Sequence, residues 1–223
     1  MKSNRQQWLV LNHDSPVGSS IAKYGFARDR NLGFELIEIT PEVVRARFIE
    51  RIETVEEMDT PFGDIEKFKL VRYIYFDFTV VRVSDGVSLV KIIKPPVSVK
   101  SFVSTLMMAF GYSATLRKVS FNLLSVYTSI SQDAEVDRLT VSRITISQVP
   151  LGERATSRME IFSTDNALVE FMDVYDAPSM KIEKIMINVR IKHQLETLEL
   201  TAAGSICCTP GLEGYLERTI INQ

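Results

Sequence analysis

From Phe68 to Val81 the chain reads FKLVRYIYFDFTVV, and this stretch constrains the fold more than any other. Its even positions carry Phe68, Leu70, Ile74, Phe76, Phe78 and Val80, interrupted only by Arg72, while the odd positions carry Lys69, Tyr73, Tyr75, Asp77 and Thr79. A side-chain rhythm of two with aromatic and β-branched content predicts a half-buried antiparallel strand. It runs into RVSDGVSLVKI, where Asp85-Gly86 fits the positive φ angles of a tight hairpin turn.

The segment before it, TPEVVRARFIERIETVEEM, supports two readings. Thr40-Pro41-Glu42 would open a helix, with Val44, Phe48, Ile52 and Val55 on one face. As a strand, Val44, Ala46 and Phe48 alternate with Arg45 and Arg47 before the pattern slips. The short link DTPFGD favours one long hairpin, so 43–57 is expected as strand. Further on, SVKSFVSTLMMAFGY places Val99, Phe102, Val103, Leu106, Met107 and Phe110 on one stripe of a helix. Pro95-Pro96 bars helix before it, and Gly111 suits a left-handed end cap.

Beyond Gly111, KVSFNLLSVYTSI, LTVSRITISQV, SRMEIF, KIEKIMINVRI and ETLEL all read as strands. The first shifts register at Leu124 and the second near Ser142. KHQL would turn a second hairpin, and TDNALVEFMDVYD would be a short helix capped by Thr164 or Asp165. The expected fold is therefore α+β: a large, mainly antiparallel β-sheet with one or two helices packed on one face. Strands, helix, strands again suggest two similar halves, 33–111 and 115–204, inside a single compact domain spanning 1–223. The 45% apolar and 24% charged content of the 223 residues suffices for such a core.

Function is less legible. LNHDSPVGSS places His13, Asp14 and Ser15 side by side. A hydrolytic triad needs its third group to orient the imidazole from the far side of the nucleophile, and three consecutive residues cannot wrap one ring in that way. The stretch is expected to be a loop rich in turn-formers. The other histidine, His193, falls at the KHQL turn. No phosphate loop, GxSxG elbow or HExxH helix occurs. No catalytic residue, metal ligand or cofactor is assigned, and the balance leans away from an enzyme.

Two charged features remain. From Glu53 to Glu66, the carboxylates Glu53, Glu56, Glu57, Asp59, Asp64 and Glu66 occur without one Lys or Arg between them. They predict an acidic hairpin tip, a docking point for a basic partner, or a site for a hard cation. If 43–57 is a strand, Arg45, Arg47 and Arg51 share one face, and Tyr73 and Tyr75 point outward like interface anchors. Such a face could meet the acidic tip of a neighbour, or phosphates. A formal charge of −2, from 26 basic and 28 acidic residues, argues against a dedicated nucleic-acid binder.

Adjacent Cys207 and Cys208 are not a disulfide framework, and no apolar run approaches a membrane span, so a soluble cytoplasmic protein is expected. The leading expectation is a non-enzymatic binding or assembly protein, a subunit or adaptor that meets a protein partner or itself. The alternatives are a metal-dependent hydrolase or nuclease on dispersed carboxylates, and a small-ligand module with a pocket lined by Phe102, Leu106 and Phe110.

Overall fold

A computed structural model describes residues 4–27, 29–175 and 180–221. The fold is α+β, a large mainly antiparallel sheet of eleven strands with five short helices. The chain divides into two compact units, Leu9–Arg117 and a second formed by Met1–Trp8 with Lys118–Gln223. The first strand, β1 (Asn4–Asn12), contributes residues to both.

In the unit 9–117, β1 leads through α1 (Val17–Ala22) to β2 (Leu32–Ile39), β3 (Val43–Asp59), β4 (Ile65–Ser84), β5 (Val87–Ile93) and α2 (Lys100–Ala109). Strand order is β2-β3-β4-β5-β1. The ambiguous segment is strand: β3 runs 17 residues and pairs with β4 without a bulge, from Val43↔Val81 to Asp59↔Ile65. Asp85-Gly86 closes the next hairpin, but only Gly86 has a positive φ, +71°. The turn with two left-handed residues is Lys192-His193, at φ +49° and +66°.

The inward face of this sheet carries Val44, Ala46, Phe48, Phe76, Phe78 and Val80, all buried. Helix α2 lays Phe102 and Leu106 on it, as its stripe predicts, and Gly111 at φ +60° follows its end. Phe102 is 0% exposed and meets the rings of Phe34, Phe48, Phe76 and Phe78 at centroid distances of 4.9 to 6.2 Å. Three of the four contacts are strongly edge-on, at 70° to 90°, the arrangement that opposes positive ring edge to negative face. Phe102, Leu106 and Phe110 are thus core side chains.

The other unit takes the start of β1 and adds β6 (Thr115–Lys118), which straddles the division, then α3 (Leu123–Ser131), β7 (Val136–Pro150) and β8 (Thr156–Phe162). It continues with α4 (Ala167–Val174), β9 (Lys181–Ile191), β10 (Gln194–Thr201), β11 (Ser205–Cys208) and α5 (Pro210–Ile221). Its strand order is β1-β11-β10-β9-β7-β8. Ile185, Ile187 and Val189 of β9 are buried together with Leu198 and Leu200 of β10, as their alternation requires.

Two expectations are corrected here. KVSFNLLSVYTSI is not one bulged strand, because Leu123 to Ser131 forms α3. Asn122 accepts a hydrogen bond from the Ser125 amide at 3.2 Å, and the buried Leu123, Val126 and Ile130 recur at helical spacing. The short helix at 167–174 is present, but its cap is Asn166, whose side chain accepts from the amides of Leu168 and Val169 at 3.2 Å.

Candidate functional site

β3 and β4 outrun their neighbours. β2 pairs with β3 only as far as Glu50, and β5 pairs with β4 only from Phe78 onward. Past Arg51, whose amide still donates to the Asn31 carbonyl at 2.6 Å, residues 52–72 form a two-stranded arm with no third strand beside it among the described residues. From Arg51 to Asp59 it extends roughly 27 Å at the rise of an antiparallel strand. The inward face of the sheet continues along it as the opposed pairs Ile52↔Arg72, Thr54↔Leu70, Glu56↔Phe68 and Met58↔Glu66. Phe68 and Leu70, which the alternation in the sequence assigns to a core, are 43% and 46% exposed because no described residue of this unit covers the sheet there. At the tip Thr60 gathers the turn, its Oγ1 accepting from the Asp64 amide at 3.2 Å, and Phe62 is 90% exposed.

The acidic residues are spread along the arm. Glu53 pairs with Arg51 and Lys69, and Glu57 pairs with Lys67 at 2.7 Å. The hydrogen bond from Lys69 is the main reason the Glu53 carboxyl is held below the usual carboxylate range, with Arg51 adding to it. Among the described residues Glu56, Asp59, Asp64 and Glu66 have no ion pair, and no set of His, Cys, Asp or Glu side chains is grouped to hold a metal.

Arg45, Arg47 and Arg51 do share the outward face, and register places Tyr75 and Tyr73 opposite Ile49 and Arg51 on that same face. Each arginine is already engaged. Arg45 pairs with Glu38 at 3.2 Å, and Arg51 with Glu53. Arg47 donates to Asp77 at 2.7 Å, which raises its pKa further, approaches Glu35 at 3.8 Å and lies 5.7 Å from the Tyr75 ring centroid. With Phe26, Ile49, Tyr73 and Tyr75, Arg47 lines a shallow groove of about 320 Å³. Phe26 and Ile49 carried no signal in the sequence, since their partners lie on other segments.

A second concavity lies at the other end of the same unit, where the inward face of the sheet meets the loop before α1. It is a cleft of about 670 Å³ bordered by residues 13–19, the β2–β3 turn and the β4–β5 turn. The stretch after Asn12 is the expected loop, but its histidine is employed. His13 Nδ1 is 2.8 Å from the Ser15 carbonyl oxygen, Nε2 is 2.9 Å from Ser88 Oγ, and the backbone amide donates to the Gly86 carbonyl at 2.8 Å. Its ring also packs against Phe110 at 5.7 Å. Both ring nitrogens are taken, so Asp14 does not orient the imidazole. The hydroxyl that meets it comes from β5 rather than from neighbouring Ser15. Ser88 lies 75 residues away, and the placement of β5 beside β1 brings it there. His193, by contrast, is exposed at its turn beside Asp137.

No known protein family matches the chain, and no curated protein matches it. Among solved structures, DynU16, a protein in the dynemicin biosynthetic locus, aligns over 97% of this chain and 92% of its own with 9% identity and a TM-score of 0.18. A score that low carries no argument about fold or function. No helix among the described residues is long and apolar enough to cross a membrane.

Proposed function

We propose that this is a binding or assembly protein, an adaptor or subunit whose β3–β4 arm docks into another protein. One observation carries the reading: the core-facing side of the sheet continues onto residues 52–72 with Ile52, Met58, Phe68 and Leu70, and no described residue of the unit covers the last three. Apolar side chains left open in a row mark an interaction surface. A peptide-like ribbon that presents alternate side chains fits a groove.

The chemistry of the occupant follows from the charges. Glu56 and Glu66 interrupt the apolar row without ion pairs, and Asp59 and Asp64 add to the charge at the tip. The partner is therefore an apolar groove rimmed with Lys or Arg. A second copy is a poorer fit, since Arg45, Arg47 and Arg51 are already held by acidic residues of their own chain. The same engagement leaves these arginines little to offer phosphates, which argues for a protein rather than a nucleic acid as partner. A cytoplasmic location, in keeping with the ordinary globular composition, belongs to the same proposal.

The test replaces Phe68 with a photo-cross-linking residue in the full chain and Phe162, exposed on β8, in a control. The expected result is one dominant cross-linked partner at 68 and none at 162. That adduct should be lost in the Glu56→Lys, Glu66→Lys double variant and weakened by salt. No adduct at 68, an adduct only to a second copy, or an adduct indifferent to charge reversal would overturn it.

A further inference from the structure

The cleft at His13 lies at the opposite end of β3 and β4 from the arm and is not used by it. Its volume, about 670 Å³, lies within the range of sites that enclose small ligands. The hydrogen-bond inventory at its floor determines what it offers. The Ser15 carbonyl oxygen only accepts, so the ring proton of His13 resides on Nδ1. In the neutral ring Nε2 is then an acceptor, and it takes the hydroxyl proton of Ser88. Ser88 Oγ retains a lone pair and has no proton left to donate. Ser88 is 2% exposed, and the cleft is the space it borders. Whatever hydrogen-bonds to it there must be a donor.

The walls and rim add two further requirements. Val17, Ile39, Val43, Val44 and Val80 give the cleft aliphatic sides. Its charged residues are Asp14, Glu42, Asp85 and Arg82, and the Arg82 guanidinium is bound by Asp85. Asp14 and Glu42 are left as the uncompensated charges among the described residues of the rim. A donor, a positive charge and an alkyl body together describe a protonated alkyl nitrogen, of which the primary ammonium ion is the smallest.

We propose that this cleft binds a primary alkylammonium ion. Its N–H donates to Ser88 Oγ, its charge is stabilised by Asp14 and Glu42, and its chain lies along the valines. An alcohol supplies the donor without the charge, and a carboxylate supplies neither.

The two-histidine sequence makes the test clean. In a long-range 1H–15N spectrum of the full chain His13 should appear as the Nδ1–H tautomer, with exposed His193 as internal control. Hexylamine at neutral pH should shift the His13 resonances along a saturating curve and leave those of His193 in place. Hexanol should bind at least tenfold more weakly, and hexanoate should leave His13 unmoved. Ser88→Ala should weaken hexylamine about tenfold, the worth of one hydrogen bond to a charged donor.

The surface pair Asp14→Asn, Glu42→Gln should weaken it several-fold while preserving the His13 tautomer, which keeps the test decisive if Ser88→Ala fails to fold. N-acetyl-lysine methylamide separates the sources. Tighter binding than hexylamine assigns the site to a peptide lysine, and weaker binding assigns it to a free amine. A His13 signal that hexylamine does not move, equal shifts from hexanol or hexanoate, or unchanged affinity in the acidic pair variant would overturn the proposal.

Discussion

Replacing Phe102 by Ala and, separately, Phe68 by Ala makes the same chemical change at two positions that the sequence pattern treats alike. Phe102 is fully buried and touches four phenylalanine rings. Deleting a buried phenyl group costs about 3–5 kcal/mol through lost transfer energy and the cavity left behind. The edge-on pairs are worth about 0.5–1.5 kcal/mol each beyond area, which puts Phe102→Ala near the top of that range. Phe68 is 43% exposed and has no covering layer, so its loss costs about 1 kcal/mol or less.

Urea unfolding of the full chain, followed by circular dichroism, reads the difference. With a slope of about 2–3 kcal/mol per molar, the Phe102→Ala midpoint falls by about 1.7 to 2.5 M and that of Phe68→Ala by less than about 0.5 M. Against a total stability of about 5–15 kcal/mol the first variant is severely weakened. Equal shifts, or a Phe102→Ala cost below about 1 kcal/mol, would refute both the core assignment and the claim that the arm stands outside it.

Three further outcomes are expected. Gly204→Ala should lower Tm by at least about 4 °C, because φ is +88° and the added Cβ would fall 2.1 Å from the Val119 carbonyl oxygen; a melting scan within 1 °C of wild type would contradict it. Asn166→Ala removes the acceptor for two α4 amides and should cost about 1 kcal/mol by the same scan, with Asn166→Asp retaining most of the cap. Glu53 titrates below the usual carboxylate range in the folded chain, so its charged form adds stability above its unfolded pKa that is lost as pH falls through the folded value. Lys69→Met removes the largest cause, and the Glu53 midpoint followed by 13C NMR should rise toward the ordinary carboxylate value.

The sheet was legible wherever a strand has a core on one side. Alternation in β4 and β9 reports a buried face directly, and the stripe of α2 reports the surface beneath it. In β3 the rhythm fades after Phe48 although the pairing with β4 continues without interruption to Asp59. The pattern stops because the arm leaves the core, so a fading period signalled exposure rather than helix. In α3 the apolar residues Val119, Phe121 and Leu123 imitate alternation up to the first residue of the helix, and the decisive signal was Asn122, a cap residue followed by Leu123, Val126 and Ile130. The acidic tip and arginine face could be read as surface features, while their ion pairs could not. The cleft was invisible because Ser88 and His13 meet only once β5 has been laid beside β1.

The division of the chain has a consequence for synthesis. Every residue of the unit 9–117 lies in one uninterrupted stretch, so it is complete soon after its last residue leaves the ribosome. The other unit must bring Asn4–Gln7 to Ser205–Cys208, one of the longest waits the chain imposes. Domains generally mature in order of emergence. Residues 4–7 are thus made long before their partner strand, and a nascent chain stalled before residue 205 holds them with no β11 to pair with.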